Sequence, residues 1–242
     1  MNADERRQKL NAKQVQKLLI KAGNKEKGGI LQGFFKTGPG EYGEGDIFRG
    51  VMVPASRKIA VQFKNMPFGE IQKLLKSKIH EERLVAILIM VRRFQDGTEK
   101  DQKKFYNFYL KNTKHINNWD LVDLSAHKIV GAYLFNKSRK PLYGLVKSRN
   151  LWERRISVIA TFYFINHNDF TDSMRLAARL LKDKHDLIHK AVGWMLREIG
   201  KRNLAVEEEF LKKHYRSMPR TMLRYAIEKF PELKRQKYLK KK

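Results

Sequence analysis

Apolar residues in this 242-residue chain recur at spacings of three and four almost from end to end, and no stretch alternates apolar with polar residues as a half-buried strand does. That periodicity restricts the fold to helices packed on helices. It predicts helices over residues 3–21, 55–64, 68–78, 80–95, 99–113, 118–134, 138–148, 152–165, 170–182, 186–201, 204–216, 219–229 and 231–240. Pro54, Pro67, Pro141, Pro219 and Pro231 lie at or near the starts of these segments, where a missing N–H costs little. The stretch Gly28–Gly50 departs from the pattern. It holds many glycines and Pro39, and it reads as loop around at most a short helix.

A repeat lies beneath the periodicity. Glu82-Arg83-Leu84-Val85-Ala86, Arg154-Arg155-Ile156-Ser157-Val158 and His189-Lys190-Ala191-Val192-Gly193 look alike. Arg83 and Arg155 are 72 residues apart with Trp119 at the midpoint, and Lys190 follows 35 after Arg155. A period near 35 filled by helix pairs predicts an all-α superhelical solenoid of antiparallel helix pairs. Equivalent positions then stack along one wall, so Arg83, Trp119, Arg155 and Lys190 are expected on a single concave, basic surface. The expected organisation is one domain over 1–242, with a Gly-rich loop region at about 24–50 and a Lys-rich end at about 234–242.

Charge narrows the partner. Lys and Arg number 52 against 25 Asp and Glu, a formal net charge of +27. The excess is spread: 25 basic against 14 acidic residues in 1–136, and 27 against 11 in 137–242. A folded body this basic most often faces a polyanion, nucleic acid before anionic membrane. The chain has no cysteine, which excludes disulfides, thiolate zinc sites and a cysteine nucleophile. No apolar run follows Met-Asn-Ala-Asp-Glu-Arg-Arg, so no signal peptide is expected, and Leu84–Val91, the longest dense apolar patch, is too short to span a bilayer. The expected setting is cytoplasmic or nucleoid-associated.

Within 117–123, Asn-Asn-Trp-Asp-Leu-Val-Asp, a helix places Trp119 and Asp123 on one face. A carboxylate beside a tryptophan on a cationic protein suits a reaction in which positive charge develops on the substrate. Cleavage of a glycosidic bond, with its oxocarbenium-like transition state, is such a reaction. A bland reading stands beside it, in which Trp119 packs at a helix start and Asp123 caps it or pairs with Arg155. Further on, Lys190, Trp194, Arg197 and Lys201 share a helical stripe, either a DNA-facing surface or a core tryptophan among solvated cations. Trp152-Glu-Arg-Arg155 opens a helix whose arginines, Arg154 and Arg155, suit phosphate contacts or an ordinary surface. Gly38-Pro-Gly40-Glu-Tyr-Gly43 matches a dinucleotide pattern but follows no strand, and His185 with His189 lacks a third ligand, so neither is read as a cofactor or metal site.

With Trp119-Asp-Leu-Val-Asp123, Trp152-Glu-Arg-Arg155 and Lys190-Ala-Val-Gly-Trp194-Met-Leu-Arg197-Glu in this order, the chain resembles the bacterial AlkD-type DNA alkylation repair glycosylases. The stretch from Phe34 through Tyr42 and Asp46 to Pro54 is similar to that family's N-terminal signature. The resemblance implies HEAT-like or ARM-like repeats with a concave, basic face, and a monofunctional glycosylase of base excision repair that removes N3- and N7-alkylated purines. It implies Asp123 as catalytic carboxylate, Trp119 and Trp194 flanking the lesion nucleotide, Arg155 on the backbone, Arg197 as a further phosphate contact and Tyr42 as a looser one. It implies a base that is not drawn into a pocket, no metal or cofactor, and alkylated double-stranded DNA as partner. A monomer is expected. The rival expectation is a repeat protein that binds branched or distorted DNA and cleaves nothing; a third is a scaffold for protein or RNA.

Overall fold

The computed structural model describes residues 10–240. Among them, the backbone is helical with no extended strand; the single β-bridge joins Ile47 to Ile79. The helices are α1 (Ala12–Ala22), α2 (Lys25–Phe34), α3 (Val53–Gln62), α4 (Phe68–Leu75), α5 (His80–Asp96), α6 (Glu99–Lys111), α7 (Trp119–Ala126), α8 (Ala132–Leu134), α9 (Lys140–Leu145), α10 (Leu151–Asn166), α11 (Thr171–Arg179), α12 (Asp186–Gly200), α13 (Leu204–His214), α14 (Arg220–Ala226) and α15 (Glu232–Leu239). The all-α expectation holds, and its segments match these helices to within a few residues, except at two places. The first expected helix, 3–21, begins only at Ala12, where the side chain of Asn11 caps the first turn; residues 3–9 lie outside the described residues. The other is the segment over 118–134, which a π-helical turn interrupts. The glycine-rich stretch is loop around one short helix, as expected. It opens with the ten-residue α2, capped by Asn24, whose side chain accepts from the Lys27 amide at 2.9 Å.

The chain divides into two compact units, 1–125 and 126–242. In the first, α5 is the centre. Its run of apolar residues on every side buries almost all of 80–91, and α1, α3, α4 and α6 pack around it. The buried carboxylate of Glu81 at its start accepts from the backbone amides of Arg49, Gly50 and Val51 at 2.8–3.1 Å, which ties down the end of the glycine-rich segment. Gly50 is required there: its φ is +80°, and a Cβ would overlap the Asn24 carbonyl.

In the second unit α10 plays the central part, buried continuously from Arg155 to Thr161 and packed on α9, α11, α12 and a π-helical turn at His127–Gly131. The segment expected as one helix over 118–134 is thus α7, this π turn and α8. Gly131 lets the π turn close on the Ala160 carbonyl of α10. Helix α12 packs on α10, α13 and α14, and Gly193 lets it approach the Met222 carbonyl of α14 more closely than any side chain allows.

Candidate functional site

In the first unit, Trp119 is the first residue of α7 and Asp123 lies one turn later, both half-buried. The turn starts here because Asn118, just before it, accepts the Trp119 amide at 2.8 Å, and Asp120 accepts the Leu121 amide at 2.8 Å. Trp119 stands on a column of rings: it stacks on Phe35 (5.1 Å, 17°), Phe35 on Phe48 (4.8 Å, 18°), and Phe48 on His80 (4.5 Å, 22°). Phe34 meets the indole edge-on at 5.9 Å and is 62 % exposed. Asp123 is sensed by Tyr109, whose hydroxyl is bonded to Ser125; burial first, and the Asp123 charge with it, push that phenol well up, so it stays neutral.

Behind the turn lies a charged cluster. His80 Nε2 is 2.8 Å from Asp120 and Nδ1 is 3.3 Å from Asp46, while Arg83 contacts the same Asp46 oxygen at 2.7 Å. Asp46 is held below the usual carboxylate range; its burial acts upward, but the His80 and Asn118 hydrogen bonds and the Arg83 charge outweigh it.

The expected residues of the repeat wall behave differently from one another. Arg83 is the fourth residue of α5 and Arg155 and Lys190 are each the fifth of α10 and α12, whereas Trp119 is the first of α7 and does not share their place. Arg83 is only 3 % exposed and also donates to the Ser77 carbonyl at 2.8 Å. Arg155 is 4 % exposed and donates to the Leu187 carbonyl in α12. The expectation of two surface guanidiniums is therefore corrected: both arginines are buried, because each finds an internal acceptor. Lys190 is half-buried and pairs with Asp186 at 2.7 Å.

In the second unit, Trp194 is half-buried on α12. It lies 5.6 Å from Phe162 and its indole N–H donates to Glu198 at 3.1 Å. Lys190, Trp194 and Arg197 do share a stripe. Arg197 pairs with Glu228 and, at 3.6 Å, with Glu198, which also takes Lys201 at 2.7 Å. Arg154 is bound to Asp183 at 2.7 Å and to the carbonyls of Ser148 and Arg149. Tyr42 is half-buried in the loop after α2, between Gly40 and Gly45, both at positive φ. His185 caps α12 with its ring, and His189 is bound to the Asp183 carbonyl.

Sequence reasoning did not single out Phe34, Phe35, Phe48, His80 or Asp120. Asp120 sits inside the Trp119 motif and the Phe34-Phe35 pair inside the N-terminal signature, so both carry a signal in the sequence. His80 carried no local signal.

An all-α protein whose helix pairs surround α5 and α10, with a tryptophan–carboxylate pair opening α7, is the class defined here. The model of the family described as DNA alkylation repair enzyme matches residues 15–230, and the chain belongs to that family. Its fold is similar to a predicted DNA alkylation repair enzyme from Enterococcus faecalis (TM-score 0.66, 17 % identity, 87 % of this chain and 97 % of that one). It is also similar to AlkD2 from Streptococcus mutans (0.52, 20 % identity, 92 % and 100 %). No curated protein matches the chain.

Proposed function

We propose that this chain is a monofunctional DNA glycosylase that hydrolyses the N-glycosidic bond of cationic N3- and N7-alkylated purines in duplex DNA. The observation that carries the reading is the carboxylate of Asp123 one helical turn from Trp119, itself fixed on a stacked aromatic column. A purine alkylated at N3 or N7 is already positively charged and leaves without being protonated, so no general acid is called for. What remains is to stabilise the sugar cation and to orient water, and one fixed carboxylate does both; such a term is worth ~3 kcal/mol or more. Trp119, with the exposed Phe34 beside it, offers ring faces to a cationic nucleotide, worth ~0.5–2 kcal/mol each. The second unit makes its own DNA contacts through Trp194, Lys190 and Arg197, with Arg154 as a lesser one, and Tyr42 adds a lesser contact from the first unit. Arg83 and Arg155 hold the framework, and the protein acts as a monomer within one functional domain.

Release of free base from a duplex carrying a single 7-methylguanine tests the reading. Damage-dependent release is expected from the protein alone. Tight binding of lesion and junction DNA without release would return the protein to the non-cleaving class.

A further inference from the structure

Three buried charged side chains meet behind the first turn of α7, and their balance depends on one ring. His80 is 2 % exposed, and Asp46 and Arg83 are buried with it. Both ring nitrogens face carboxylate oxygens, Nε2 toward Asp120 at 2.8 Å and Nδ1 toward Asp46 at 3.3 Å. Arg83 reaches the same Asp46 oxygen at 2.7 Å and comes within 3.4 Å of Nδ1, and Asn118 donates to Asp46 at 3.2 Å. Glu81 and Glu82, the next residues on α5, are engaged elsewhere, with the amides of 49–51 and with Arg49 and Gln16.

A neutral imidazole carries one N–H and can donate to only one of the two carboxylates. With a neutral ring the cluster also keeps a net negative charge, two carboxylates against one guanidinium. The imidazolium serves both acceptors and brings the cluster to zero, the arrangement that burial tolerates best. The ring's pKa agrees in direction. Burial alone would lower it, but the Asp120 charge and the hydrogen bonds to Asp120 and Asp46 outweigh burial and the opposing Arg83, leaving it above 6.5.

The same ring is joined to Trp119 twice. It holds Asp120, the residue after Trp119, and it is the last ring of the column Trp119–Phe35–Phe48–His80. Asp46 lies in the loop after α2, so the clamp joins that loop, α5 and α7. We propose that His80, as an imidazolium held between Asp46 and Asp120, is a positioning residue that sets the first turn of α7 and with it Trp119 and Asp123. It does not touch the reacting bond. This assignment rests on the glycosylase reading for its effect on activity, and on the cluster alone for its effect on Trp119.

Single-turnover release of 7-methylguanine is measured across pH 6 to 9 for wild type, His80→Gln and Asp120→Asn, beside ¹⁵N spectra of the histidine rings. The ring should carry both protons at neutral pH and lose one only as pH rises through its raised pKa. The wild-type rate should fall on that same alkaline limb. In His80→Gln the rate should drop roughly tenfold to a hundredfold, with duplex affinity kept within a few-fold and the limb gone. The ratio of the two rates removes any titration of the lesion itself. Asp120→Asn should move both the ring titration and the limb to lower pH, and it reads the same correlation if His80→Gln fails to fold. A ring protonated only at Nε2 at neutral pH, with Arg83 donating to Nδ1, overturns the proposal. So does an alkaline limb that persists in His80→Gln. If wild type releases no base, the glycosylase reading fails and the clamp is judged by the indole N–H resonance of Trp119, one of three tryptophans. That resonance should shift with the ring titration, and a resonance that stays fixed overturns the clamp.

Discussion

Replacing Asp123 with asparagine keeps the size of the side chain and removes its charge, so it separates chemistry from packing at one position. Asp123→Asn should fold as wild type and bind lesion duplex within a few-fold, while single-turnover excision falls by about a hundredfold to a thousandfold. A rate within a few-fold of wild type would take Asp123 out of the chemistry. The pair Trp119 and Asp123 could be read from the chain because its geometry is local: four residues on a helix is one turn. The groups that hold the pair could not. His80 meets Asp120 across 40 residues and Asp46 across 34, and nothing in a linear pattern marks such a meeting. Arg83 and Arg155 show the same limit from the other side. The repeat spacing located them on their helices, yet a guanidinium is read as surface until an internal acceptor is found, and Asp46 and the Leu187 carbonyl are found only in the fold.

Helices were legible wherever an apolar stripe was wide, as in α5, α10 and α12, and a glycine inside the short α2 has a packing cause. Gly28 lies directly beneath the Phe48 carbonyl, where a Cβ would come within 2.9 Å, so a residue with poor helix propensity is the one that fits. The same close approach recurs at Gly193 in α12. Gly193→Ala should force α12 away from α14 and cost about 1–3 kcal/mol in urea unfolding. A loss below a few tenths would mean that the two helices separate freely. Helix α13 carries a different strain. Glu207 is buried, one of its oxygens has no hydrogen-bond partner, and burial pushes its pKa up to about 8 against the attraction of Lys234 and Arg197. A carboxyl raised in the folded state binds its proton more tightly there than when unfolded. Its stability contribution is therefore fully present below about pH 4.5 and is lost as pH rises toward 8. Glu207→Gln should leave stability near pH 4.5 almost unchanged, then gain on wild type by a few kcal/mol by pH 9, at about 1.4 kcal/mol per pKa unit. Equal stability at the two pH values in wild type would contradict the buried, proton-bound carboxyl.

For the molecule as a whole, the net charge of +27 was legible from composition, and so was its spread over both halves of the chain. The assignment of its acidic residues was not. On α12 the candidate DNA contacts are each matched to a carboxylate, Lys190 to Asp186 and Arg197 to Glu228. A phosphate that binds Arg197 must therefore compete with the exposed Glu228 for a half-buried guanidinium, and pairs with a solvent-exposed partner are worth only about 0–1 kcal/mol. Glu228→Gln removes the nearer of the two carboxylates on Arg197 without touching the cation, so it should tighten binding to damaged and undamaged duplex alike by up to several-fold at low salt. Arg197→Ala should weaken both equally and make log affinity against log salt shallower by about one unit, since one phosphate contact is lost and phosphates carry no base information. Arg155→Ala is the control, because its guanidinium is buried on the Leu187 carbonyl. It should lower the unfolding midpoint, by about 1–3 kcal/mol for the orphaned acceptor, and leave the salt slope unchanged. A slope lowered by Arg155→Ala but not by Arg197→Ala would reverse these roles, placing the buried arginine on the DNA and leaving the pair on α12 as a solvated surface.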